Sequence, residues 1–126
     1  MQLASLRATA FRNLETADLE WGPGVHLIGG GNGQGKTNLL EAIAVLGTLR
    51  SFRGVAPRKM VRHDEPGFEL VGEVVEGATR TVLRQVVLLA PEPMRRLFVD
   101  GREVSSDRYL PVYPVVAMAP GDRDLV

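Results

Sequence analysis

The sequence predicts an α/β fold in which a strand, a glycine-rich loop and a helix form the core and an antiparallel β portion lies beside them. Three observations predict this class. The short apolar stretch Val25–Ile28 runs directly into glycines, and apolar side chains recur at helical spacing from Thr37 to Gly47. Phe68–Val75 and Thr79–Leu89 are rich in β-branched and aliphatic residues and are separated by a short turn, as in an antiparallel pair.

Composition limits the classes of protein. The 126 residues include fifteen basic and fifteen acidic side chains, so overall charge favours no polyanionic partner, and such a claim must rest on local clusters. There is no cysteine, which excludes disulfides, Cys-based zinc sites and a thiol nucleophile. No run approaches about 18 apolar residues, and the first residues lack the long apolar core of a signal peptide. We therefore expect a cytoplasmic protein with no membrane partner.

The first element is predicted to be a hairpin. The opening stretch to Phe11 has β character, and Ala17–Trp21 is a second strand joined to it through Arg12–Thr16. Gly22-Pro23-Gly24 is a strong turn pattern. It leads into Val25–Ile28, which we expect to be a buried central strand.

The loop after this strand matches G-x-x-x-x-G-K-[ST] and predicts a site for a nucleoside triphosphate. Its residues are Gly30, Gly31, Asn32, Gly33, Gln34, Gly35, Lys36 and Thr37. Glycines allow the backbone to wrap around phosphate, so that its N–H groups form an anion nest at the start of the helix. Lys36 is expected to reach the β- and γ-phosphates, and the Thr37 hydroxyl to bind Mg²⁺. A G-x-G-x-x-G fingerprint of dinucleotide or protein-kinase sites fits no register of this loop.

The stretch Arg50–His63, which follows the predicted helix, contains five cations and no Asp or Glu. Such a cluster on a surface loop can neutralise DNA phosphates without reading sequence. A solvated basic loop, or one that contacts an acidic partner, remains an alternative. The candidate DNA contacts are Arg50, Arg53, Arg58, Lys59 and Arg62.

Two acidic residues near these motifs are interpreted as structural. Glu41 lies one helical turn after Thr37 and is expected to be a solvated helix residue. Asp100 ends the apolar run Leu97–Val99, as an ATPase acidic motif would, but Gly101 and a polar strand follow it. Asp-Gly between two strands favours a hairpin turn. We therefore assign no catalytic residue within this chain.

The end of the chain predicts an incomplete fold. Val112–Met118 is a candidate buried strand, although Pro114 weakens it, and only eight residues follow. We expect residues 1–126 to be the front part of a larger fold.

Several stretches carry a family resemblance. Phe11-Arg12-Asn13-Leu14 and Gly30–Ile43, which continues the phosphate loop as Asn-Leu-Leu-Glu-Ala-Ile, resemble the N-terminal part of the RecF family, an SMC-like group of ABC ATPases. Leu49–Arg53 resembles the family's Arg-Ser-x-Arg element, and Val115–Val126 its Pro-Glu-Asp…Leu-Val segment. Gly121 stands where the family has Glu, so any role of that Glu in placing metal or water is absent.

The resemblance implies a P-loop NTPase core of ABC/SMC-head type, of which residues 1–126 would be the Walker A lobe. Family members bind ATP and DNA, dimerise around ATP, and help recombinase to load at gapped DNA in repair, replication restart and the SOS response, with RecR and RecO as partners. The resemblance also implies that Arg12 and Asn13 lie beside the nucleotide and that Asn32–Asn38 hold its phosphates. The second acidic motif and the signature motif would lie beyond Val126. We therefore expect slow hydrolysis by the full-length dimer and none by this chain alone.

Two other classes stay open at this point. One is another P-loop enzyme, either a transporter ATPase of ABC type or a kinase. The other is a non-catalytic interaction module in which nucleotide only orders the loop.

Overall fold

A computed structural model of the chain describes residues 2–21, 25–28, 34–51 and 53–113. They form one antiparallel sheet, a long helix and several short helical turns. The strands are β1 Gln2–Phe11, β2 Leu14–Trp21, β3 Val25–Ile28, β4 Gly67–Glu76, β5 Thr79–Leu88, β6 Met94–Val99 and β7 Arg102–Val104. The α-helices are α1 Gln34–Thr48 and α2 Ser106–Tyr109, and 3-10 turns span Pro57–Lys59 and Leu110–Val112. The strand order is β3-β2-β1-β4-β5-β6-β7.

The hairpins predicted from the sequence are confirmed. β1 pairs with β2, β4 with β5, and β6 with β7, all antiparallel. Asp100 and Gly101 close the last hairpin with φ angles of 52° and 83°, the left-handed region that Asp-Gly turns use. The Asp100 carboxylate also accepts a hydrogen bond from the Val82 amide at 2.8 Å. Asp100 is therefore a turn residue, as the sequence indicated.

One face of the sheet is covered by α1, which contacts β1, β4 and β5. Alternate residues of β4 are buried there, as the two-residue period of a strand requires. The closest approach is at Gly72, where an added Cβ would lie 2.3 Å from Leu46 Cδ2. A larger residue at this position would therefore displace the buried Leu46 side chain.

The C-terminal end of α1 is held by side chains from elsewhere in the chain. The Tyr109 hydroxyl donates to the Leu46 carbonyl at 2.5 Å, and Gln85 Nε2 donates to the Val45 carbonyl at 3.1 Å. Burial raises the pKa of Tyr109, so its hydroxyl stays protonated as a donor. The Val45 carbonyl also accepts the Leu49 amide at 2.8 Å, so these bonds add side-chain partners to carbonyls of the last turn of α1.

Two expectations need correction. β3 was expected to be a central strand, but among the strands described it lies at the end of the sheet, paired with β2. The sequence showed only that this strand is apolar, and its neighbours depend on long-range pairing. Val112, predicted to begin a buried strand, instead ends the 3-10 turn Leu110–Val112. The rest of that candidate strand, with Val115–Val126 and Gly121, lies outside the described residues.

Candidate nucleotide-binding site

Helix α1 begins at Gln34, inside the phosphate-loop motif. Its backbone is helical from there onward, so the partial positive charge of a helix N-terminus lies where the motif requires it. Gly30, Gly31, Asn32 and Gly33 lie outside the described residues, as do the side chains of Gln34 and Lys36. Thr37 is exposed in this turn, and Asn38 beside it is buried. The contacts of the loop with phosphate therefore stay a prediction.

Arg12 lies in the turn between β1 and β2 and points its side chain toward α1. Its Nε and Nη2 atoms donate to the two carboxylate oxygens of Glu41 at 2.7 and 3.0 Å. This two-bond fork is the strong, planar geometry that arginine forms with a carboxylate. The Arg12 backbone has a φ of 55°, which ordinarily favours glycine and costs about 1 kcal/mol for other residues. A strained residue with an anchored side chain is typical of a functional position.

The expectation that Glu41 is solvated is wrong: its side chain is 0% exposed. Besides the two bonds from Arg12, it accepts one from the Ser51 hydroxyl at 2.5 Å, and Arg53 Nη1 lies 3.7 Å away. Burial by itself would raise the pKa of Glu41, but the bonds from Arg12 and Ser51 and the two positive charges outweigh it and lower the pKa. Glu41 is therefore a buried carboxylate that stays ionised.

Asn38 joins the same network one helical turn earlier. Its Nδ2 donates to Asn13 Oδ1 at 2.6 Å, and its Oδ1 accepts from Arg53 Nη2 at 3.2 Å. The first two turns of α1 thus hold the β1–β2 turn through two neighbouring side chains. Arg12 and Asn13, expected beside the nucleotide, are fixed next to the start of the helix that follows the phosphate loop.

An open cavity of about 660 Å³ lies against this turn. A volume of roughly 300–1,000 Å³ is usual for small-molecule sites. The segment that follows the first 3-10 turn runs along the end of β1 and forms part of the cavity wall. The Arg12 amide donates to the Met60 carbonyl at 2.6 Å, and the Arg62 amide donates to the Ala10 carbonyl at 2.8 Å. The cavity is lined by Arg12, Asn13, Asn38, Lys59, Val61, Arg62, His63 and Asp64.

The five cations predicted to meet DNA do not form one group. Arg50, Arg58 and Lys59 are exposed, whereas Arg53 and Arg62 are partly buried. Arg53 bonds to Asn38, and Arg62 Nη1 donates to the Asn13 carbonyl at 2.8 Å. Sequence reasoning missed that Lys59 and Arg62 line the cavity, because the contacts that bring them there join residues almost fifty positions apart.

Carboxylates and histidines do not cluster within residues 2–21, 25–28, 34–51 and 53–113: no group of three or more could bind a metal ion. Over the same ranges, neither α-helix has the length and apolar character to cross a bilayer.

Comparison with known proteins gives a consistent result. Residues 5–84 match the family described as AAA domain. RecF from Teredinibacter turnerae is 46% identical over 80 residues, which are 64% of this chain and 21% of that protein. RecF from Acidothermus cellulolyticus is 40% identical over 127 residues, covering 100% of this chain and 34% of that protein. Both bear the name DNA replication and repair protein, and the chain spans between about a fifth and a third of their length.

Solved structures agree on the fold. The recombination mediator protein RecF-ATP in the RecFOR pathway matches with a TM-score of 0.70 and 35% identity, over 83% of this chain and 29% of that one. A structure from work on ATP-driven dimerisation and DNA-stimulated activation of SMC ATPases matches with a TM-score of 0.64 over 89% of this chain and 77% of that one. At 19% identity it supports the fold alone. These matches confirm the α/β P-loop core of SMC-head type and do not favour a transporter ATPase, a kinase or an interaction module. The chain belongs to the AAA domain family, and within that family its relatives are RecF proteins.

Proposed function

We propose that this chain binds ATP at the start of α1, as the Walker A portion of a RecF-like protein that acts on DNA in recombinational repair and replication restart. One observation carries the proposal. A cavity lined by Arg12, Asn13 and Asn38 adjoins the helix that begins inside the G-x-x-x-x-G-K-T motif. The motif supplies a phosphate nest and the cavity has the size of a small-molecule site.

Different residues contact different parts of the nucleotide. Loop amides from Gly30 to Gly35 and the Lys36 ammonium hold the phosphates, where the N-terminus of α1 adds its dipole. Arg12, fixed by Glu41, presents a positive charge on the cavity wall. Lys59 and Arg62 line the same cavity, so we place the nucleotide between the phosphate loop and this wall.

The residues present fit a magnesium ion that belongs to the nucleotide. Thr37 is exposed in the first turn of α1, and a hydroxyl oxygen is a ligand that Mg²⁺ accepts. Mg²⁺ takes most of its remaining ligands from substrate phosphates and water, so an acidic cluster is not required. The ion neutralises phosphate charge when bound, and this chain contributes the Thr37 hydroxyl.

Hydrolysis needs groups that we place beyond this chain. Asp100 is a turn residue, and we assign no catalytic residue here. We propose that residues 1–126 are the N-terminal portion of a longer protein, that its ATP-bound dimer hydrolyses ATP slowly, and that this chain alone is inactive. We also propose that the protein has RecR- and RecO-type mediators as partners and that it acts in the cytoplasm.

DNA contact is proposed for the exposed cations of the basic segment. Arg50, Arg58 and Lys59 have side chains in solvent and can approach phosphates. Arg53 and Arg62, which bond to Asn38 and Asn13, are available to DNA only if those bonds are exchanged. We therefore expect the three exposed residues to account for most of the phosphate contacts.

ATP binding is tested with the Lys36→Ala variant of the full-length protein and fluorescent ATP. The variant should lose tight binding, because its loop lacks the ammonium for the β- and γ-phosphates. Arg102→Ala, which removes an exposed cation of β7, is the control and should bind as the wild type does. Equal binding by Lys36→Ala and wild type would contradict the proposal.

DNA binding is tested separately by its salt dependence. Each lost phosphate contact should reduce the slope of log K against log salt by about 0.9. Arg50→Ala, Arg58→Ala and Lys59→Ala should each lower that slope, and Arg102→Ala should not. An unchanged slope in all three variants would remove this segment from the DNA interface.

A further inference from the structure

Glu41 is the centre of a buried network that extends beyond the proposed nucleotide site. Its carboxylate accepts two bonds from Arg12 and one from Ser51, and lies near Arg53. These partners come from two separate segments, one before the phosphate loop and one after α1. Because Glu41 is itself fully buried, it cannot touch a ligand in the cavity.

Arg12 is the partner that does reach the cavity. Its side chain is 21% exposed and lines the cavity wall, while its Nε and Nη2 atoms are both bound to Glu41. Two parallel bonds fix the plane of a guanidinium as well as its position, which a single bond does not. Ordering a long, flexible side chain before a ligand arrives reduces the entropy lost on binding.

The second segment is held to the same carboxylate. Ser51 bonds to Glu41 directly, and Arg53 is shared between Glu41 and Asn38. Asn38 also bonds to Asn13, so the two buried polar residues of α1 hold both segments at once. The β1–β2 turn and the Ser51–Arg53 segment therefore share Glu41 and Asn38 as hydrogen-bond partners.

We propose that Glu41 is the positioning residue of the nucleotide cavity: its buried carboxylate fixes the Arg12 guanidinium on the cavity wall and holds the Ser51–Arg53 segment to the same helix. The inference rests on the proposed function, because it concerns how the ATP site is built. It assigns Glu41 no contact with ATP.

The test is a double-mutant cycle on ATP binding by the full-length protein, with Glu41→Gln and Arg12→Ala. Glutamine has the same shape as glutamate, but its NH₂ group faces an arginine N–H and breaks the fork. Glu41→Gln should weaken ATP binding on the order of tenfold in the wild-type background. In the Arg12→Ala background it should have no further effect, because the group it positions is gone. A purely structural Glu41 would lower affinity by the same factor in both backgrounds, and that result would overturn the proposal.

Ser51→Ala is the matched control, since it removes another bond to the same carboxylate and leaves the Arg12 fork intact. It should weaken ATP binding far less than Glu41→Gln does, and a loss equal to that of Glu41→Gln would overturn the proposal. If Glu41→Gln does not fold, Arg12→Lys replaces it, because lysine keeps the charge but cannot form the fork. Arg12→Lys should bind ATP more weakly, and wild-type affinity would overturn the proposal.

The two proposals fail in different ways. If the wild type binds ATP no better than Lys36→Ala, the proposed ATP site is wrong. If Lys36→Ala loses binding but Glu41→Gln has equal effects in both Arg12 backgrounds, the ATP site stands and the role of Glu41 is wrong.

Discussion

Arg7–Asp18 and Arg12–Glu41 are two arginine–carboxylate pairs of equal length in different surroundings. Arg7 Nε lies 2.7 Å from Asp18 on the open face, and Arg12 Nε lies 2.7 Å from Glu41 beneath α1. The side chains of the first pair are 63% and 36% exposed, and those of the second 21% and 0%. The two pairs differ in their effect on stability although their distances are equal. Water screens the exposed pair, whereas in the buried pair removal of one partner leaves the other charge without compensation.

The open face repeats the exposed arrangement. Cross-strand ion pairs join Arg84 to Glu69 and Arg96 to Glu103, and both arginines lie over the Phe98 ring. Paired charges of this kind keep the face soluble and contribute little stability individually. On the covered side, the ion pairs of Glu41 connect the segments that form the proposed ATP site. The comparison indicates that burial, more than the number of ion pairs, distinguishes the side of the sheet on which the proposed ATP site lies.

The largest effect is expected from breaking the buried pair. Glu41→Ala removes the carboxylate and leaves the Arg12 guanidinium without its partner, which should destabilise the protein by about 3–5 kcal/mol. Urea denaturation followed by circular dichroism measures this. Asp18→Ala breaks the exposed pair of equal length and should have a far smaller effect. Similar losses in both variants would contradict the comparison.

The next largest difference in the free energy of unfolding is expected between substitutions that enlarge a side chain on the two faces of β4. Gly72→Ala places Cβ 2.3 Å from Leu46 Cδ2 and 3.2 Å from Leu3 Cδ1, so these two buried side chains must move. Overpacking of this kind costs about 1–3 kcal/mol. Val71→Ile adds a methylene at the neighbouring position, where the side chain is only partly buried, and should change the free energy of unfolding very little. Equal tolerance of the two substitutions in urea denaturation would show that α1 does not pack closely at this point.

The buried pair should also make stability depend on pH. The pKa of Glu41 is lowered in the folded protein, so the folded state holds the ionised form at a pH where the unfolded chain takes up a proton. The stabilisation that ionised Glu41 contributes to the folded state is complete above the ordinary glutamate pKa. It is lost as the pH falls through the lowered pKa of the folded protein. Denaturation midpoints should therefore fall in acid more steeply for the wild type than for Glu41→Gln. Parallel pH profiles would mean that Glu41 has an ordinary pKa.

The smallest effect is expected on the open face. Arg7→Ala removes a side chain whose pKa is raised by its bond to Asp18 but which is exposed to solvent. Solvent screening makes the pair worth little, so the urea midpoint should not move beyond experimental error. The measurement should be made at low and at moderate salt. A clear loss that disappears at higher salt would show that this exposed pair stabilises the fold electrostatically.

Much of this architecture follows from local sequence. The antiparallel pairing of β4 with β5, the Asp100-Gly101 turn and the start of a helix after the phosphate loop depend on neighbouring residues, and all three are confirmed. The 3-10 turn that opens at Pro57 also follows from local chemistry, since proline suits the first helical position.

The role of Glu41 could not be predicted in the same way. Its position on the buried side of α1 was readable in principle, because Asn38, Glu41, Ala42 and Val45 have helical spacing and are all buried. A carboxylate on that side is acceptable only with a partner, and Arg12 lies 29 positions earlier. The separation of the five cations has the same cause, since Arg53 and Arg62 are held by Asn38 and Asn13 through long-range bonds.

Ligand-dependent stability shows whether ATP phosphates bind where α1 begins. A ligand that binds only the folded state stabilises it, by about 2.7 kcal/mol at a hundred times its Kd. Thermal unfolding is followed with and without MgATP for the wild type, Lys36→Ala and Arg102→Ala. We predict that MgATP raises the Tm of the wild type and of Arg102→Ala but leaves that of Lys36→Ala unchanged. An equal rise in all three proteins, or no rise in the wild type, would contradict the account.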